Sequence, residues 1–304
     1  MRNAMLGIYG ARYVLGEDER HVSAIPEFRD FLARHQMIDE PELWGWSRFR
    51  VSQRPVFDLA ATAASATLER VGELRQEVDA VLFCATRFPV EVDDHADLTG
   101  RFLERLGLRH AVPYGVTLNR CATLMAGLEL AEALVHSGRR RAVLLVAVDA
   151  VTSDSDRLRP FAVFSDGAAS CVVAAGRAPD FALIGTATAV DATVMTPGGE
   201  ISGALARLVN ADLFKGAEVG VRDVRRVAHN NLLLPILILK EQQAGFRRDQ
   251  LFLRNVARIG HVFACDPLIN LVDMVEDGAV GPGDLVVLGS NVSGVRFGAL
   301  TRKM

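Results

Sequence analysis

The chain reads as an α/β protein with buried strands, and three observations carry that reading. Short apolar, β-branched runs alternate with segments whose apolar residues recur at helical spacing. Of 304 residues, 50% are hydrophobic, enough for one large domain or two small ones. The charges nearly balance, 34 Lys and Arg against 37 Asp and Glu, for a net charge of -3. That balance excludes both a disordered acidic tail and the basic excess of a general nucleic-acid binder.

Apolar runs at 6–13, 78–85, 142–149, 170–175, 182–190, 225–228 and 285–289 predict strands, because continuous apolar runs suit strands covered on both faces. Asp58 is placed to cap a helix that runs to Val71 and Gly72, and 97–106 repeats apolar residues at helical spacing before Gly107. A further helix is expected over 121–135, ended by Ser137 and Gly138. In the second half, 232–243 and 268–275 are helical, the latter closed by Asp277 and Gly278. A composition change near Pro179 divides the chain into two αβ halves, 1–178 and 179–304.

Residues 1–9 carry one basic residue and a few apolar ones, but Gly7 and Tyr9 interrupt them and no small-residue cleavage pattern follows, so they open the first strand. The longest apolar runs, 142–148 and 232–239, fall short of the roughly 18 to 20 residues that a bilayer span needs. No membrane segment is expected. Cys84, Cys121, Cys171 and Cys265 lie far apart with no CxxC spacing, which argues for reduced thiols in a cytoplasmic protein with neither a zinc site nor a disulfide framework.

Cys121 stands out among them. It sits at the turn where a strand gives way to a buried helix, and the N–H groups and dipole at a helix start favour thiolate, which makes it a candidate nucleophile. The alternative is a buried structural cysteine, which is how the other three read. A nucleophile needs a proton acceptor. His229 and His261 both lie in short turns beside apolar segments, whereas His21, His35, His95, His110 and His136 fall among charged, loop or helix-end residues where surface roles suffice.

Taken together, these segments resemble the β-ketoacyl-acyl-carrier-protein synthase III group of the thiolase fold over nearly the whole chain. The nucleophile turn is similar to Cys121-Ala122-Thr123, and the family's Phe-Gly-Asp-Gly-Ala to Phe164-Ser165-Asp166-Gly167-Ala168. Its His-Gln-Ala-Asn turn resembles His229-Asn230-Asn231-Leu232, and its Gly-Asn-Thr turn Gly260-His261-Val262. The closing Pro-Gly-Asp-Leu-Val with a Gly-rich turn resembles Pro282-Gly283-Asp284-Leu285-Val286 with Ser293-Gly294, and Trp-x-x-x-Arg resembles Trp44-Gly45-Trp46-Ser47-Arg48.

The resemblance implies a five-layered αβαβα thiolase fold built from two pseudo-repeated halves, 1–178 carrying the nucleophile and 179–304 the two histidines. It implies that Cys121 takes an acyl group from acyl-coenzyme A or acyl-carrier protein, that His229 and His261 assist, and that backbone N–H groups of Cys121 and Gly294 form the oxyanion hole. Trp44 and Arg48 would contact coenzyme A. No cofactor is bound permanently; the coenzyme A or phosphopantetheine thioester is substrate. A homodimer is expected, with a heterodimer as alternative, and neither nucleic acid nor membrane is a partner.

The implied reaction is decarboxylative condensation with a malonyl-type thioester. His261 stands where the family has Asn, Leu234 where it has a basic residue, and the middle of the chain is short. These departures support an alternative, acyl transfer to an oxygen or nitrogen acceptor without decarboxylation. A third reading is a non-catalytic partner subunit. Asp166 is expected to fix a turn, Asp266 to orient an imidazole or cap a helix, Trp46 to fill the core, and Arg139-Arg140-Arg141 to lie in a solvated turn.

Overall fold

The computed structural model describes residues 5–86, 88, 91–196, 202–215 and 217–304. Of the residues read above as opening the first strand, 1–4 lie outside these.

The strands are β1 (Leu6–Leu15), β2 (Asp18–His21), β3 (Arg48–Val51), β4 (Val78–Cys84), β5 (Val112–Val116), β6 (Ala142–Asp149), β7 (Leu158–Arg159), β8 (Ala162–Val163), β9 (Gly167–Ala175), β10 (Phe181–Val190), β11 (Val224–Ala228), β12 (Leu285–Val292) and β13 (Val295–Lys303). The helices are α1 (Phe28–Arg34), α2 (Pro41–Trp44), α3 (Val56–Arg70), α4 (His95–Arg105), α5 (Thr123–His136), α6 (Gly203–Phe214), α7 (Leu234–Gln243), α8 (Arg254–Ile259) and α9 (Asp266–Glu276). Every strand and helix expected above is present, with ends moved by a few residues. Asp58 is not the cap of α3. Pro55 holds that position without a side-chain bond, and the Asp58 carboxylate accepts from Arg105 at 2.6 Å instead.

The nine long strands run in the order β11-β12-β13-β10-β1-β9-β6-β4-β5. The first four belong to the second half of the chain and the last five to the first, and the halves meet where β1 pairs with β10 at Gly7↔Ala182 and Ile8↔Phe181. Helices α3 and α4 cover the outer face of the first half through Leu59, Phe83 and Phe102, and α6 and α7 cover the second through Val209 and Val287. Between the two halves of the sheet, α5 and α9 are buried with Leu124, Leu128, Leu268 and Leu271. That is the five-layered αβαβα arrangement.

The two halves repeat in detail. In each, a strand and helix (β1 and α3; β10 and α6) lead to a parallel pair that carries the same irregularity, between Val78 and Ala80 where β4 meets β6 and between Val224 and Arg226 where β11 meets β12. Each pair then continues antiparallel, β6 with β9 and β12 with β13. Each central helix is preceded by a 3-10 turn, Arg120–Ala122 before α5 and Phe263–Cys265 before α9. The first residue of each turn has a positive φ, 47° at Arg120 and 49° at Phe263. The edge strand β5 has only a remnant in the second half, the isolated bridge Val227↔Leu251.

The segment between β1 and α3 packs over the ends of the strands through Trp46, Phe49 and Leu233. It is anchored by a buried ion pair that the sequence reading missed. Arg157 holds Asp166 by two bonds, 2.9 Å and 3.0 Å, with both side chains almost fully buried. Asp166 also accepts from the Ser52 and Val151 amides, so it does fix a turn and ties three segments together.

Candidate active site

Cys121 lies in the 3-10 turn before α5 and is half-buried. The turn is strained, since Leu118 (φ 72°) and Arg120 (φ 47°) both hold a conformation L side chains rarely adopt. Strain of this kind persists only where surroundings over-determine it, and the bonds to the Cys121 carbonyl do so here. Asn230 Nδ2 donates to it at 3.2 Å and also to the Phe263 carbonyl at 3.4 Å, joining the two equivalent turns. Ser290 Oγ lies 2.9 Å from the Cys121 carbonyl and 2.7 Å from Asn230 Oδ1, with one proton to give.

His261 is brought to Cys121 by the turn between α8 and α9. Its amide donates to the Val163 carbonyl at 2.8 Å, its carbonyl accepts from the Ser165 amide at 2.9 Å, and its ring packs against Phe164 at 4.9 Å between centroids. Nδ1 donates to Asp266 Oδ2, and Cys121 lies close enough for its side chain to act on the ring electrostatically. Nδ1 being taken, Nε2 is the ring nitrogen left to serve the thiol. Burial opposes a charge on this ring, but the Asp266 carboxylate, followed by the Cys121 sulfur, outweighs it and raises the pKa to about 10.

Asp266 is fully buried and accepts four bonds: from His261 Nδ1, from the Asn231 amide (2.6 Å), from Asn231 Nδ2 (3.2 Å) and from the Val262 amide (2.7 Å). Each of its two oxygens accepts two of these bonds. Of the two readings of Asp266, orienting an imidazole and capping a helix, the bond to His261 realises the first.

His229 is placed elsewhere. Successive residues at the end of β11 alternate faces: Val227 belongs to the outer cluster and Ala228 to the central one, while the Asn230 side chain reaches Cys121. His229 falls on the outer side. Its Nδ1 bonds the Asn230 carbonyl at 3.0 Å, its Nε2 has no partner among the described residues, and the charges acting on it are Glu241, Asp266 and Arg296. Burial lowers its pKa, so the ring is neutral at pH 7. One residue of register separates it from the face that the resemblance assigned to it.

Gly294 also lies away from the nucleophile. It turns the β12–β13 hairpin with φ 76°, where a Cβ would strike Met195 and the Asp191 carbonyl. The residue of β12 in contact with Cys121 is Ser290. Trp44 ends α2, donates its Nε1 proton to the Ile38 carbonyl at 2.9 Å and stacks on buried Trp46 at 5.5 Å. Arg48 is exposed at the start of β3 and pairs with Glu19. Next to Trp44 a surface groove of about 360 Å³ runs between Leu43 of α2 and Leu234, Pro235 and Ile238 of α7.

Sequence reasoning missed Ser290, Asn230 and Asn231 as site residues. The one signal available was the polar run 229–231 directly after an apolar strand. Among the described residues, no group of three or more His, Cys, Asp or Glu could hold a metal ion, and no helix is long and apolar enough to cross a membrane.

The sequence profile of 3-oxoacyl-[acyl-carrier-protein] synthase III matches residues 117–192, and that of its C-terminal part matches 214–304, together more than half of the chain. A β-ketoacyl-[acyl-carrier-protein] synthase III of Streptomyces coelicolor is 26% identical over 89% of this chain and 87% of its own. One from Synechococcus is 28% identical over 87% and 88%. Among solved structures, ChlB3, described as an acyltransferase, superposes with a TM-score of 0.84 at 19% identity, covering 99% of this chain and 98% of its own. OleA of Xanthomonas campestris gives 0.81 at 16% identity, covering 98% of each. The order of motifs, the doubled αβ architecture and these matches agree: the chain belongs to the 3-oxoacyl-[acyl-carrier-protein] synthase III family, with the thiolase fold.

Proposed function

We propose that this protein is an acyltransferase that takes an acyl group from a coenzyme A or carrier-protein thioester onto Cys121 and passes it to a hydroxyl, amine or thiol that His261 deprotonates. The observation that carries this reading is the Cys121/His261/Asp266 triad. In loading, His261, which already holds the proton of the pair below about pH 10, keeps it while Sγ attacks the thioester carbonyl, and then passes it to the departing donor thiolate, which leaves the ring neutral for the second step. In transfer, His261 takes the acceptor's proton, the acceptor attacks the Cys121 thioester, and Sγ leaves while His261 keeps the proton. Asp266 stabilises the imidazolium in both steps, as in any nucleophile, histidine and carboxylate triad. The first half, 1–178, supplies the nucleophile and the second, 179–304, the base.

The backbone N–H of Cys121 stabilises the oxyanion in this reading, worth about 3 kcal/mol of barrier, whereas the Ser290 N–H is directed at Phe297 in the β12–β13 ladder. Trp44, next to the groove between α2 and α7, and Arg48 of β3 receive the nucleotide end of a coenzyme A donor. The working assembly is a homodimer, supported by β5, whose outer edge ends the sheet, and by Leu118, 90% exposed close to the nucleophile.

Decarboxylative condensation is the second reading, favoured by the names of the relatives. It needs two donors on the enolate oxygen. His261 supplies one, but the His229 ring lies on the other face, and Asn230 Nδ2 is engaged by the Cys121 and Phe263 carbonyls. Supplying an acyl thioester together with a malonyl thioester and a panel of alcohols and amines separates the two. Acylated acceptor without carbon dioxide supports acyl transfer; carbon dioxide released in step with product overturns it in favour of condensation.

A further inference from the structure

Behind Asp266 lies a chain of three buried asparagines, none of them part of the triad. Asn231 Nδ2 donates to Asp266 Oδ1 at 3.2 Å. Asn270 Nδ2, from α9, donates to Asn231 Oδ1 at 3.0 Å, and Asn255 Nδ2, from α8, donates to Asn270 Oδ1 at 2.8 Å. Arg258 Nε donates in turn to Asn255 Oδ1 at 2.8 Å. All three amides are at most 1% exposed.

Amide oxygen and nitrogen are told apart by their partners, and each amide here has one partner that admits a single assignment. Asn231 Nδ2 faces the Gly260 carbonyl at 3.0 Å and Asn270 Nδ2 the His229 carbonyl at 2.8 Å; both carbonyls can only accept. The Arg258 guanidinium can only donate, which fixes Asn255 Oδ1 as acceptor. The chain therefore runs one way, every NH₂ group pointing toward Asp266, from a cationic end to an anionic one. At the cationic end Asp273 accepts from Arg258, from Asn255 Nδ2 at 2.6 Å and from the Tyr13 hydroxyl at 2.7 Å, so the end is closed by partners of its own.

We propose that Asn231, Asn270 and Asn255 are positioning residues that hold the Asp266 carboxylate so that His261 carries its proton on Nδ1 and presents Nε2 to Cys121. A buried network of this kind is worth having only when every member is satisfied, since a half-satisfied one costs more than an apolar core. Reversing one amide would place an oxygen against a carbonyl or a carboxylate, so the direction of the chain propagates to the imidazole tautomer. The charged and titratable groups around this path are Asp266 and Cys121 at His261, Glu241 and Arg296 near His229, and Arg258, Asp273 and Tyr13 at the far end.

The inference rests on the acyl-transfer reading for its purpose, but its test does not use acyl transfer. A histidine N–H bonded to a carboxylate gives a proton resonance far downfield. In the full-length protein this signal is assigned to His261 by its loss in Asp266→Asn. In Asn270→Leu and in the milder Asn255→Ser, each checked for folding by circular dichroism, the signal is expected to broaden or vanish. The rate of Cys121 alkylation by iodoacetamide is expected to fall about tenfold. A folded variant of either kind that keeps the native signal and alkylation rate overturns the proposal. If the signal responds as expected yet no acyl thioester ever loads Cys121, the relay stands and the proposed function fails.

Discussion

His229 and Asn230 are consecutive residues just past β11 whose side chains point apart, His229 near the Glu241 and Arg296 ion pair and Asn230 on the Cys121 carbonyl. The proposed mechanism therefore gives this histidine a structural role. Replacing His229 by Ala is expected to destabilise the protein by about 2–4 kcal/mol, the range for a large buried side chain truncated in a core, while the folded fraction still acylates Cys121. Thermal melts and acylation per folded molecule check both halves of this expectation.

Asp266→Asn keeps the shape of the triad and reverses its hydrogen-bond logic. An amide nitrogen opposite Nδ1 favours the wrong tautomer, and the expected loss in transfer rate is about 10³- to 10⁴-fold with KM for the donor little changed. Steady-state kinetics with a fixed acceptor reads the split between kcat and KM.

The His261 pKa of about 10 lies above the unfolded value of 6.5. A raised pKa contributes stability that is complete below about pH 6.5 and is lost as pH rises through about 10. The melting-temperature advantage of the native protein over His261→Gln should therefore shrink across that window. An advantage that grows toward alkaline pH would contradict the assignment of the charge.

Arg157 and Asp166 form a bidentate pair with side chains 2% and 1% exposed. Removing one partner strands a buried charge, so Asp166→Leu or Arg157→Met alone is expected to destabilise by about 3–5 kcal/mol. The double variant should recover part of that loss. Denaturant titration of the four proteins gives the coupling.

Much of this was legible from sequence. Buried strands announce themselves as continuous apolar runs, so β6 was placed to the residue, and the turn before α5 marked Cys121. The short or edge strands β2, β3 and β5 carry too few apolar residues to show a period. The site was half legible. His261 and Asp266 lie five residues apart and could be paired on paper, but the face of His229 depends on register at the end of β11, where one residue reverses the outcome. Ser290 and the asparagine chain draw on four separate segments, and such convergence has no signature in one dimension.

The most direct test of the central claim is intact-protein mass spectrometry after incubation with a set of acyl-coenzyme A and acyl-carrier-protein thioesters, on the native protein and on Cys121→Ala, His261→Ala and His229→Ala. The account predicts an acyl adduct on the native protein and on His229→Ala, none on Cys121→Ala, and loading slowed by about 10²- to 10⁴-fold on His261→Ala. Loading that is indifferent to His261 but abolished with His229, or no adduct from any donor, would contradict it.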